Sequence, residues 1–340
     1  MTVGSQPQSA ALGRRNLLHA TGAAFAATAL SLPKPLWAQD YPARPIRLLV
    51  GYTTGGGTDI LARLIQPKLS EVLGRPVVIE NRPGASGTIA ANVVAKAAPD
   101  GYTLLLGNNS SNAAVASVSA NVPYNLRTDF TPVALSAMAP HVIAVATNSP
   151  LRSVSDLIAQ AKANPGKLSY GSPGVGSAPH LAEQVFESIA DVKLLHVPYR
   201  GAGSALTDLI AGQTQVSFDT SSSLLGLVKS GSIRVLSVAS RRRLPQLPEV
   251  PTAVEAGIPG YIMSVWFGLF GPAGLPAPIV HRLKSAMDQV AADVPLREHI
   301  VATMASEPLE VIPTDAFRQF MLTEADRYDA LVKRAGIKPE

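Results

Sequence analysis

The chain has 340 residues, 46% of them hydrophobic, with 29 Lys and Arg against 24 Asp and Glu for a formal charge of +5, and no cysteine. Length and apolar content suffice for two modest domains, and the lack of cysteine excludes disulfides. The basic excess is too small and scattered to argue for nucleic acid, whose binders cluster Lys and Arg among aromatics; the one triplet, Arg241-Arg242-Arg243, reads as a solvated loop face.

Residues 1–39 read as an export signal. Arg14 and Arg15 precede a moderately apolar stretch without acidic residues, followed by Pro33, Pro35 and a cleavage position after Ala38. The paired arginines fit a twin-arginine signal, with general secretory export as the alternative. Cleavage there takes three basic residues (Arg14, Arg15, Lys34) and no acidic one, lowering the charge from +5 to +2. The stretch is short and polar for a membrane anchor, and no later run is long enough to span a bilayer.

From residue 46 onward, short β-like runs alternate with helical segments, which predicts an α/β protein with largely parallel sheets. The first run, 46–50, enters Gly51-Tyr52-Thr53-Thr54-Gly55-Gly56-Gly57-Thr58-Asp59 and then an amphipathic helix over 60–73 closed by Gly74. A strand, a glycine-rich turn and a helix N-terminus form an anion-binding device, because the first amides of the helix lack intrahelical acceptors. Strands follow at 77–80 and 102–106, the latter leading to Asn108 and Asn109, placed for polar contacts or for turn satisfaction. After a strand at 142–146, Ser153 with Asp156 starts a helix that ends near residues 164–166. The strand at 168–171 repeats the loop design in Ser172-Pro173-Gly174-Val175-Gly176-Ser177 before a helix from Ala178. The strand at 194–197 repeats it again in residues 198–204 before a helix at Ala205 that Gly212 ends. Strands at 216–219, 234–238 and 262–270 flank a Pro-rich segment, 244–259. Helices at 278–293 and 314–335 finish the chain, with Gly336 as a stop.

Nucleotide loops do not match these motifs. Thr58-Asp59 stands where a P-loop needs Lys and Ser or Thr, and Pro179 and Leu206 stand where the two G-x-G starts need a third glycine. Catalysis is disfavoured too: Ser177, His180 and Asp219 have suitable types, but no G-x-S-x-G elbow exists and Ser177 and His180 sit three apart near a helix start. The six histidines form no zinc pair and no EF-hand loop is present, so neither metal nor cofactor is expected.

The stretches Tyr41-Pro42-x-Arg44-Pro45-Ile46, Gly55-Gly56-Gly57-Thr58-Asp59, Glu80-Asn81-Arg82-Pro83-Gly84-Ala85 and Pro99-Asp100-Gly101-Tyr102 occur in that order. They continue in Asp129-Phe130-Thr131-Pro132-Val133, His196-Val197-Pro198-Tyr199-Arg200-Gly201, Val250-Pro251-Thr252 and Trp266-Phe267-Gly268-Leu269-Phe270. In this order the chain resembles the substrate-binding proteins of tripartite tricarboxylate transporters, the Bug family of extracytoplasmic receptors. The resemblance implies a class II periplasmic-binding-protein fold: two α/β domains, 41–142 with 263–340 and 143–262, joined by crossing strands around a ligand cleft. It implies a periplasmic receptor, without catalysis, that passes a small organic anion to membrane permease subunits. That anion would be a di- or tricarboxylate, an acidic amino acid or an aromatic carboxylate. A receptor feeding a signalling partner is the alternative, and a clamp of this design suggests a monomer.

Carried over by position, the resemblance implies ligand contacts from Gly56, Thr58, Asp59, Ser172, Gly174, Ser177, His180, Arg200, Gly201 and Asp219, with ordered waters between; Asn108 joins them from its place at the strand end. Thr54 and Ser204 depart from prolines frequent in the family. Asp59 serves equally as a helix cap, His180 as a structural donor and Arg200 as a surface ion-pair partner, whereas Trp266 and Phe267 read as core.

Overall fold

A computed structural model describes residues 1–4, 41–306 and 311–334. The cleavage position, the paired arginines and Gly336 lie outside these residues. The elements below belong to one compact unit, Pro42–Glu340.

Among the described residues nine strands form: β1 (Ile46–Val50), β2 (Val77–Asn81), β3 (Thr103–Asn108), β4 (Phe130–Pro140), β5 (Val142–Ala146), β6 (Ser169–Ser172), β7 (Leu195–Pro198), β8 (Ile233–Val238) and β9 (Ser264–Pro272). The helices are α1 (Gly57–Leu73), α2 (Thr88–Ala95), α3 (Val115–Val118), α4 (Val154–Ala163) and α5 (Ala178–Ala190). They continue with α6 (Ala202–Ile210), α7 (Ser221–Lys229), α8 (Ala277–Ala292), α9 (Val294–Met304) and α10 (Thr314–Arg334). No helix among the described residues is long and apolar enough to cross a membrane.

Five strands make one sheet in the order β2-β1-β3-β9-β4, with β1 parallel to β2 and β3, and β9 antiparallel to both β3 and β4. The apolar runs of β1 and β3 are buried on both faces, as parallel strands covered by helices require. On the β9 side, Trp266 is fully buried, edge-on to Phe317 and Phe320 of α10 at 5.9 and 5.7 Å, so the last helix seals this core.

The second sheet region pairs β5 with β8 antiparallel and β6 with β7 parallel. The segment expected as a strand at 216–219 supplies only isolated bridges, Tyr170 to Val216 and Ala144 to Ser217, that stitch the two pairs together. The two regions meet where β4 passes into β5 and where the chain re-enters β9. There His141 N–H donates to Met263 O at 2.9 Å, and Ala239 N–H to His141 O at 2.8 Å.

Local signals placed many of these elements. Gly74 takes a left-handed φ of 72° and its N–H closes on Ser70 O and Glu71 O, and Ser153 with Asp156 forms a complete capping box. The sequence reading passed over β4, α2, α3, α7 and α9. β4 carries Pro132 and Pro140 and two register shifts, so its alternation is broken even though it is the longest strand.

Candidate ligand-binding cleft

The sheet order brings loops from the carboxyl ends of β1 and β3 against loops from β6, β7 and the 216–220 segment. Between them lies a small cavity of about 40 Å³ lined by Tyr52, Gly56, Gly57, Thr58, Asn108, Ser110, Pro173, Ser177, Ala178, Pro179, Ala202, Asp219, Thr220, Ser223, Val265 and Phe267.

Four of the lining segments are helix starts: Gly56-Gly57-Thr58 for α1, Ser177-Ala178-Pro179 for α5, Ala202 for α6, and Thr220 with Ser223 for α7. None of these four helices has a side-chain hydrogen bond at its N-cap. Among the described residues the amides of Thr58 and Ala202 find no acceptor, whereas Gly57 N–H reaches Ser223 Oγ at 3.2 Å and Ala178 N–H reaches Ser110 Oγ at 2.7 Å. Each helix start carries about half a positive charge, so the four together favour an anion although no Lys or Arg lines the cavity, with Asp219 opposing them.

Hydroxyl and amide side chains supply the remaining polarity. Tyr52 Oη lies 2.9 Å from both Ser86 O and Asn108 Oδ1, and burial pushes its pKa up to about 12, so it stays a neutral donor. Asn108 Nδ2 donates to Thr58 Oγ1 at 3.2 Å. Asp219 is the one charged lining residue. Burial raises its pKa to about 6, against the Thr220 N–H and the Ser223 and Thr220 hydroxyls, which favour the ionised form.

The two walls touch directly. Besides the contacts of Gly57 and Ala178, Ser86 Oγ donates to Val175 O at 2.7 Å. A Cβ on Gly57 would come within 2.4 Å of Ser222 Oγ, and one on Gly201 within 2.3 Å of Thr53 Oγ1. The space beside Gly57 is filled by Ser222 of the opposite wall.

Of the candidate ligand contacts named from sequence, Gly56, Thr58, Asn108, Ser177 and Asp219 line the cavity, as does Phe267, which the sequence assigned to the core. The others stand outside the lining set, several of them in the loops that frame it. Asp59 accepts from Gly55 N–H at 3.0 Å and Arg63 Nε at 2.9 Å through Oδ2, and from Asn81 Nδ2 at 2.9 Å through Oδ1. Burial opposes its charge, but these donors outweigh it and hold its pKa below the usual carboxylate range. Ser172 Oγ donates to Gly174 O and contacts His196 Nε2 at 2.7 Å, and Gly174 has a φ of 115° that suits glycine. His180 Nδ1 accepts Gly176 N–H at 3.3 Å, Gly201 is the N-cap of α6, and Arg200 is exposed. Ser177 Oγ donates to Gly174 O at 2.7 Å, so no nucleophile-to-base hydrogen bond joins it to His180.

Sequence reasoning missed Ser110, Thr220 and Ser223. The run Thr220-Ser221-Ser222-Ser223 ahead of Leu224-Leu225 was the available signal, since hydroxyl residues before an apolar run mark a helix start. Asp59→Ala would leave Gly55 N–H without its acceptor and Asn81 Nδ2 with Tyr52 O alone. We expect it to cost about 1–3 kcal/mol in urea unfolding while also weakening solute binding; unchanged values of both would refute the brace.

A larger cavity of about 700 Å³ lies beside the crossing strands, bounded by Leu135, Met138, Ile262 and the Arg241-Arg242-Arg243 run, but no helix start opens into it. No group of three or more His, Cys, Asp or Glu among the described residues could hold a metal ion.

The model of the tripartite tricarboxylate transporter family receptor matches residues 61–337. The chain belongs to this receptor family. BugT of Bordetella pertussis is 35% identical over 92% of this chain and 96% of its own length. The solved periplasmic binding protein BugD superimposes with a TM-score of 0.84 at 31% identity, covering 88% of this chain and 100% of BugD. Rpa4515 of R. palustris, solved with adipate, superimposes with a TM-score of 0.85 at 36% identity, covering 88% of this chain and 100% of that one. The fold is the class II periplasmic-binding-protein fold, two α/β domains with the cleft between them, and the protein is a solute receptor, not a catalyst.

Proposed function

We propose that this receptor captures a small organic carboxylate in the cleft and delivers it to the permease subunits of a tripartite transporter, acting as an exported monomer in the periplasm. The convergence of four uncapped helix starts on one cation-free cavity carries this reading. Such a site attracts a carboxylate through amide dipoles and hydroxyls, as expected of a relative of the adipate-bound Rpa4515.

The walls belong to residues 41–142 with 263–340 on one side and 143–262 on the other. The cavity is narrow, at about 40 Å³, and the walls are expected to part to admit the solute and to close on it. A solute that favours the closed form shifts the population toward it, and that form docks on the permease.

Thermal unfolding of protein freed of co-purified solute, against C4 to C6 dicarboxylates, citrate, acidic amino acids and aromatic carboxylates, tests the reading. A true solute at 100 times its Kd should add about 2.7 kcal/mol and raise Tm by a few degrees. Silence across the panel would overturn it.

A further inference from the structure

The one charged side chain lining the cleft has the wrong sign for a carboxylate. Asp219 is 5% exposed, and no Lys, Arg or His among the described residues pairs with it. Its backbone is fixed by Val142 N–H donating to Asp219 O at 2.8 Å and by its own N–H donating to Ser217 Oγ at 3.3 Å. Oδ1 accepts the Thr220 N–H at 2.6 Å and the Thr220 hydroxyl at 3.4 Å. The Ser223 hydroxyl also favours the charged carboxylate, but no described residue makes a hydrogen bond of 3.5 Å or less to Oδ2, which leaves that oxygen able to take a donor in the cavity.

A carboxylate has about four acceptor sites, and burying it with half of them unused is costly. Capping the start of α7 does not require this arrangement, since a neutral Ser, Thr or Asn accepts an amide equally well. Placing a solute carboxylate beside Asp219 would bring two like charges into one small, water-poor space. A hydroxyl or ammonium on the solute, one or two carbons from its carboxylate, removes the conflict. The carboxylate then faces the free amides of Thr58 and Ala202, and the donor faces Oδ2.

Building on the receptor reading above, we propose that Asp219 determines specificity by accepting a hydrogen bond from a donor on the solute, so that the ligand is a hydroxy- or amino-carboxylate. Asp219 then rejects unsubstituted acids of the same length, because they leave its acceptor unpaired and its charge unscreened.

Calorimetry with matched solutes tests this: succinate, malate and aspartate; adipate with its 2-hydroxy and 2-amino derivatives; tricarballylate and citrate; benzoate and 2-hydroxybenzoate. In whichever set binds, a donor-bearing member should bind at least about tenfold more tightly than the unsubstituted acid. The hydroxy and amino members of a set tell which donor is used. Asp219→Asn keeps an oxygen for the Thr220 N–H but turns the other atom into a donor, so it should abolish or invert that preference. Equal or tighter binding of the unsubstituted acid by the native protein overturns the proposal while leaving the receptor reading intact. So does a preference that survives in Asp219→Asn. The comparison in the native protein decides the matter even if the variant does not fold. Silence in every set overturns the receptor reading, and this inference with it.

Discussion

Gly57→Ala should bind solute roughly ten- to a hundredfold more weakly while folding as well as the native protein. The alanine Cβ would meet Ser222 Oγ at 2.4 Å and Thr220 Oγ1 at 3.4 Å, both on the opposite wall. Gly57 opens α1 without a positive φ, so alanine strains no backbone and is the better helix former. The misfit therefore appears only when the walls meet. Overpacking of this kind costs about 1–3 kcal/mol, which as lost closure energy is about a tenfold to hundredfold rise in Kd. Urea unfolding without solute and calorimetry with it separate the two effects. Equal loss of fold stability and of affinity would mean that the contact belongs to the fold and not to closure.

The contrast between Gly57 and β4 shows what the sequence made legible. The strand, glycine turn and helix start at 46–73 were readable because each signal is local: an apolar run, residues free to turn, and amides without acceptors. The same logic found the start of α5 and set that of α6 three residues late, at Ala205 instead of Ala202. It missed α7 because Asp219 was read as the end of a strand at 216–219, and the Tyr170 to Val216 and Ala144 to Ser217 bridges that replace that strand depend on partners distant in sequence. It missed β4 because the prolines that weaken a local strand pattern are accommodated where β9 pairs around them. Which wall Gly57 would face was not a local property at all. The positional carry-over from the family named Asp219, and only the folded chain shows that this carboxylate lines the cavity with its short hydrogen bonds gathered on Oδ1.

Protonation of His141 should destabilise the protein as the pH falls from about 6.5 to about 4. His141 is fully buried at the crossing of the two sheet regions, with Nδ1 2.8 Å from Phe218 O and Nε2 without a partner. A proton on Nε2 would have no acceptor there, and burial lowers the pKa from 6.5 to about 4, against the Phe218 carbonyl, which favours the charged form. The unfolded chain takes up this proton first, so the stabilisation is complete above pH 6.5 and is lost as pH falls to about 4. The difference corresponds to about 3 kcal/mol. His180 acts with the same sign: burial and the neighbouring His196 lower its pKa to about 4, and a proton on Nδ1 would break its bond from Gly176 N–H in the cleft loop. Asp219 acts with the opposite sign. Its folded pKa of about 6 lies above the ordinary 3.8, so the folded state takes up that proton first and gains stability as pH falls through this interval. His141→Gln keeps a donor for Phe218 O and does not titrate, so it should remove about 3 kcal/mol of the loss seen by urea unfolding between pH 7 and pH 4. Asp219→Asn should make that loss steeper. Identical pH slopes in the native protein and both variants would show that neither group titrates abnormally and that the crossing tolerates a charged imidazole.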